Sequence, residues 1–140
     1  PGGYTIPTAE ITNLILSLVG KITICGIANK AYSAGNVILQ GCHFREIVPN
    51  GSLYIHRAEN EDRAIIRCKE SKDAENSILG LFSWRTKKSL KEVAEIANRN
   101  TFYAPTAALA NNWVDRIVEK KEPILGKIRE FFLEKNNLVS

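Results

Sequence analysis

Ile11, Leu14, Ile15, Leu18, Val19 and Ile22 recur at the three- and four-residue steps of a single helical face. The spacing predicts an amphipathic helix with Thr8 as its N-cap. Gly20 interrupts the pattern, and a second helical stretch is expected over residues 24–34, closed by Gly35 as a left-handed cap. A short strand around Ile22-Thr23-Ile24-Cys25 is the alternative there. From residue 36 to 69 the period changes to two and the apolar residues become β-branched or aromatic, which predicts strands. Asn50-Gly51 carries the sequence signal of a two-residue hairpin turn between strands over 42–48 and 52–58. A third strand over 63–69 follows the polar turn Glu59-Asn60-Glu61-Asp62. Beyond Ser71 the pattern is helical again. Ala74, Ile78, Leu79 and Phe82 share one face, and Ser89 with Glu92 forms a capping-box pair ahead of Leu90, Val93, Ala94 and Ala97. Thr106 is expected to cap a helix carrying Leu109, Trp113, Val114 and Ile117, and Pro123 bounds a last one carrying Ile124, Leu125, Ile128, Phe131 and Phe132.

These elements amount to an α+β fold: an N-terminal helix or helices, a three-stranded antiparallel β-meander, then three to four C-terminal helices. The expected organisation is a single domain over 1–140, helical at 8–34, a β-meander at 36–69 and helical at 72–137. With 140 residues, 44% of them hydrophobic and 24% charged, nine glycines and five prolines, the chain can bury a core without metal or disulfide support. No stretch reaches the ~18 uninterrupted apolar residues of a membrane span. The chain begins at Pro1 and has no methionine, which leaves open a removed initiator or a start inside a longer chain. Three cysteines, Cys25, Cys42 and Cys68, cannot all pair with one another, so a reducing, cytoplasmic compartment is expected.

The hairpin register places Cys42, Phe44, Val48, Leu53 and Ile55 on a core face and His43, Arg45, Tyr54 and His56 on the other. The third strand adds Arg63, Arg67 and Lys69 to that outer face, with Ala64, Ile66 and Cys68 inward. Cations together with flat rings and no carboxylate are what a single-stranded nucleic acid requires of a binding platform. A second basic run holds Arg85, Lys87, Lys88 and Lys91 beside Trp84, where a phosphate would meet both lysines and free helix-terminal amides.

Metal binding finds little support, because no Cys-x-x-Cys pair is present and Cys42 and Cys68 face away from His43 and His56. No cofactor is expected. Catalysis is poorly supported as well: no Gly-x-Ser-x-Gly turn, phosphate-binding glycine loop or dinucleotide fingerprint occurs. The sequence therefore points to a non-enzymatic, basic nucleic-acid-binding module, a small structural subunit of a nucleoprotein assembly, with RNA and DNA not distinguished. Its contacts would come from Arg45, Tyr54, His56, Arg63, Arg67, Lys69, Arg85, Lys87, Lys88 and Lys91. The alternative is a protein-interaction or scaffold subunit without nucleic acid. Self-association or docking on a partner protein is expected through Phe131, Phe132 and Leu133, whose adjacency widens the apolar stripe of the last helix beyond what one core takes up.

Overall fold

The computed structural model of the chain describes residues 2–57 and 69–118. Helix α1 spans Thr5–Ser17, earlier than the Thr8 start the pattern suggests. It buries Thr8 and Thr12, while Ile11, Leu14, Val19 and Ile22 lie exposed. The reversal has a local cause. The Thr8 hydroxyl donates to the Tyr4 carbonyl at 2.6 Å and that of Thr12 to the Thr8 carbonyl at 2.8 Å, so each threonine can turn its methyl group inward with its polar demand met. The facing position is Gly41, where a Cβ atom would stand only 2.9 Å from Thr12 Cγ2. Glycine therefore sets how closely α1 approaches the next helix.

Residues 25–32, expected as helix, form strand β1 (Cys25–Tyr32), which places Ala28 and Ala31 in the core. Helix α2 (Ala34–Gly41) follows, and strand β2 (Phe44–Ile55) returns parallel to β1. A β-α-β crossover thus replaces the expected start of a meander. Helix α3 spans Lys69–Thr86, and α4 (Leu90–Asn98) opens on the Ser89/Glu92 capping box in both of its reciprocal bonds. Strand β3 (Thr101–Tyr103) pairs antiparallel with β2, α5 (Pro105–Ala110) starts on proline, and β4 (Arg116–Ile117) pairs parallel with β2. Strand β2 is therefore central, with β1 along one edge and β3 and β4 at opposite ends of the other.

Asn50-Gly51 does not turn the chain. The β1–β2 register runs Ala28↔Ile47 and then Lys30↔Ser52, so two steps on β1 are matched by five on β2 and the surplus is taken up as an irregularity in a continuous strand. Glycine is required at position 51 for close approach: a Cβ would lie 2.7 Å from Ile47 Cγ1 and 2.8 Å from the Asn29 carbonyl oxygen. Because the irregularity shifts parity, face assignments on its two sides fail differently. Leu53 and Ile55 are buried as expected, whereas Phe44 is 56% exposed and Arg45 only 4%. The antiparallel meander is thus replaced by a mostly parallel sheet. Its expected third strand over 63–69 lies outside the described residues except for Lys69, which opens α3. The expected helix through Trp113 and Ile117 stops at Ala110, and Ile117 belongs to β4.

The core gathers Ile47, Leu53 and Ile55 from the sheet with Phe82, Val93, Trp113 and Val114 from the elements packed on it. Each such side chain contributes about 1.5–3 kcal/mol on burial. Trp113 packs edge-on against Phe82, with ring centroids 5.2 Å apart.

Candidate functional site

Three polar residues lie at one end of the sheet. Ser33 is the single residue between β1 and α2, with φ 53° and ψ −121°. That is the mirror image of the extended basin, which glycine enters freely and a residue with a Cβ enters at a cost of about 1–3 kcal/mol. Its backbone is held from both sides. The amide donates to the Tyr54 carbonyl at 3.0 Å, and the carbonyl accepts from the amides of Asn36 and Val37 at 3.0 and 3.2 Å. A serine at a helix N-cap ordinarily turns its hydroxyl back onto the first-turn amides, but Ser33 makes no such bond. Its hydroxyl is not spent on the helix amides, and its backbone makes a strained strand-to-helix turn with the geometry of a nucleophile elbow.

Register fixes the neighbours. Tyr32 pairs with Tyr54 on the parallel strands, so Ser33 leaves β1 where Ile55 and His56 leave β2. On the other edge Thr101 pairs antiparallel with Ile55, the last pair of that ladder, and Asn100 and His56 are the residues that flank this pair at the sheet end. Asn100 itself has φ 53°, a left-handed conformation that asparagine tolerates better than most residues. It closes α4, its amide donating to the Ala97 carbonyl at 3.3 Å. The N-terminal loop lies across the elbow: a Cβ on Gly2 would be 3.3 Å from Ser33 Cβ and 3.4 Å from its Oγ, and one on Gly3 would be 3.4 Å from Ala34 Cβ.

His56 is half-buried, its ring stacked on Tyr54 with centroids 4.9 Å apart and planes 23° from parallel. Phe102 stacks on Tyr54 at 4.2 Å and 21°. Tyr32 stands edge-on to both, at 6.1 and 5.9 Å, and its hydroxyl is 2.8 Å from that of Ser52.

The basic residues expected on this face are elsewhere. Arg45 is buried near the other end of β2, where its guanidinium donates to the Asp115 carboxylate at 2.5 and 3.1 Å, to Gln40 Oε1 at 2.7 Å and to the Asn112 carbonyl at 2.8 Å. Arg85 donates to the carbonyls of Cys42 and His43 and lies 3.8 Å from Asp115. Burial pushes the Asp115 carboxyl up, but the hydrogen bonds from Arg45 and the charges of Arg45 and Arg85 outweigh it and hold the group below its usual range. Both arginines are thus engaged inside the protein rather than offered to phosphates. Lys87 sits in a turn at φ 58°, Lys88 is half-buried and Lys91 is exposed on α4. Trp84 is 64% exposed, with the Arg85 guanidinium 5.4 Å from its ring. The side chains of Arg63, Arg67, Lys69, Phe131, Phe132 and Leu133 lie outside the described residues.

Of the expected set, only Tyr54 and His56 stand together at the elbow. Ser33 and Asn100 were not singled out by their residue types. Ala31-Tyr32-Ser33-Ala34-Gly35 differs from the nucleophile-elbow pattern only by alanine in place of its first glycine, which is the signal the sequence does carry. Asn100 carries no sequence signal beyond its place between a helix and a strand. Cys25 and Cys42 are free thiols, and burial raises the Cys42 thiol above its ordinary value. Among the described residues no helix is long and apolar enough to cross a membrane.

No curated protein matches the sequence. Among solved structures, an Asn-to-Asp mutant of ClpP1 from Listeria monocytogenes superposes with a TM-score of 0.66 at 22% identity, over 81% of this chain and 68% of that one. A structure described only as that of an enzyme reaches 0.69 at 17% identity, over 83% of this chain and 66% of its own length. Both share the mostly parallel sheet and its helices, against the antiparallel meander. The Clp protease family profile matches residues 1–121. This match corrects the expectation of a non-enzymatic nucleic-acid-binding module, and with it the nucleic-acid partner. By a family match that spans all the described residues, the chain belongs to the Clp protease family.

Proposed function

We propose that the protein is a serine peptidase in which Ser33 is the nucleophile, His56 the general base and Asn100 the residue that orients the imidazole. The observation that carries this reading is the strained, uncapped serine at the strand-to-helix turn, at the same sheet end as His56. Membership of the Clp protease family supports it independently.

In this reading Ser33 Oγ attacks the carbonyl carbon of a peptide bond while His56 takes the hydroxyl proton. The oxyanion is received by the Ala34 amide, which as the first amide of α2 has no intrahelical acceptor, together with an amide of the Gly2-Gly3 loop that crosses the elbow. Collapse breaks the C–N bond, the imidazolium protonates the departing amine, and an acyl ester remains on Ser33. Water, deprotonated by His56, then releases the carboxylic acid and restores the hydroxyl. The Asn100 side-chain carbonyl can accept from an imidazole N–H and fix its tautomer, as an asparagine does in Cys-His-Asn peptidases.

Clp proteases form oligomers, and the exposed Ile11 and Leu14 on α1 favour self-association of this chain through that helix. The free thiols suit a reducing, cytoplasmic setting. Hydrolysis of unstructured fluorogenic peptides by the wild type, lost by a factor of roughly 10³ or more in both Ser33→Ala and His56→Ala, is the expected result. Wild-type turnover retained in either variant overturns the assignment.

A further inference from the structure

The orienting position of this site carries an amide, so it brings no negative charge to the imidazolium that forms when His56 takes the serine proton. The structure puts something else against that ring. Tyr54 lies face to face with His56 at 4.9 Å and 23°. Residues two apart on a strand share a face, so the stack follows from the extended backbone leading out of β2. Tyr54 is itself confined. Phe102, its direct cross-strand partner, stacks on it at 4.2 Å, and Tyr32 at the end of β1 abuts both rings edge-on while its hydroxyl is tied to Ser52. Three strands each supply one ring, and the assembly ends on the histidine.

We propose that Tyr54, clamped by Phe102 and Tyr32, is a positioning residue that holds the His56 imidazole in its working orientation and stabilises its protonated form through the face of the phenol ring. The inference rests on the peptidase reading and deepens it. Two physical effects act together. Stacking restricts rotation of the imidazole, so less orientational freedom is lost on reaching the transition state. The ring quadrupole presents its negative face to a cation that exists only after proton transfer, so its attraction grows along the reaction coordinate and acts on turnover rather than on substrate binding. Phenylalanine at position 54 would supply the same face, whereas leucine would fill the space without it.

The test combines kinetics with the spectrum of the histidine ring. In Tyr54→Leu, kcat is expected to fall roughly threefold to thirtyfold with KM nearly unchanged. Tyr54→Phe is expected to return kcat to within about twofold of the wild type. Phe102→Leu, which removes only the backing ring, is expected to show a smaller fall of the same kind. The chain has two histidines, so His56 is assigned in the NMR spectrum of histidine-labelled protein by comparison with His56→Ala. Its ring protons should lie upfield from the current of the stacked tyrosine, and should move downfield in Tyr54→Leu. Measured in the Ser33→Ala background, this signature is independent of turnover. An increase in KM at constant kcat would show instead that the aromatic face binds substrate, and would overturn the proposal. So would equal losses in the leucine and phenylalanine variants, or His56 protons that carry no ring-current shift. Turnover that survives Ser33→Ala would refute the peptidase reading itself, a result the NMR comparison keeps distinct.

Discussion

Replacing Ser33 by glycine should abolish activity and make the protein more stable. The serine is held at φ 53° and ψ −121° by the strand hydrogen bond to Tyr54 and by the first turn of α2. A residue with a Cβ in that basin costs about 1–3 kcal/mol, while glycine's larger unfolded-state entropy takes back about 0.5–1 kcal/mol. The net expectation is a gain of roughly 0.5–2 kcal/mol, which for a chain of this size raises Tm by about 2–8 °C. Ser33→Ala is the control: it also removes the hydroxyl but keeps the Cβ and therefore the strain. Urea or thermal unfolding of the three proteins, followed by circular dichroism, separates the two effects. A glycine variant no more stable than the alanine variant would refute the idea that the elbow stores strain for a function.

Asn100→Asp keeps a residue that tolerates the left-handed backbone and adds a charge facing the imidazolium; peptide turnover should rise by about tenfold or more, and no rise would mean that position 100 does not address His56. Asp115 ionises more readily in the folded state, so its stabilising effect is complete above its unfolded value, near 4, and fades as pH falls through the folded one. Unfolding by urea at neutral pH should therefore favour the wild type over Asp115→Asn, and the difference should shrink below about pH 4; a gap independent of pH would contradict this. Leu14→Asp on the exposed face of α1 should disperse an oligomer seen by sedimentation and leave the circular dichroism unchanged, whereas an unaltered sedimentation coefficient would exclude that face.

The parts of this fold legible in the sequence are those whose causes are local. The Ser89/Glu92 capping box is a short-range exchange of hydrogen bonds, and it appears where the sequence puts it. Leu53 and Ile55 alternate with Tyr54 and His56 because parity holds along an uninterrupted stretch of strand. What misled was a local signal overridden by tertiary structure. Asn50-Gly51 favours a turn in isolation, yet parallel pairing to β1 keeps it inside one strand, and the irregularity there inverted the fates of Phe44 and Arg45. Once Arg45 is drawn to Asp115, the basic face that suggested nucleic acid loses its first member. Most of the short α2 falls in the span 36–69 expected as sheet, because its apolar residues are buried on nearly every side, which removes the helical period. The site is assembled from strand ends far apart in sequence. Ser33, His56 and Asn100 become neighbours only through pairings that a single chain pattern does not encode.

The most direct measurement is covalent. Incubation of the wild-type chain with a fluorophosphonate, followed by intact-mass and peptide-level mass spectrometry, should show one adduct, carried by Ser33 and absent from Ser33→Ala. Labelling should slow markedly in His56→Ala, because the hydroxyl loses its proton acceptor. A wild-type protein left unmodified, or an adduct on another residue that persists in Ser33→Ala, would contradict the account.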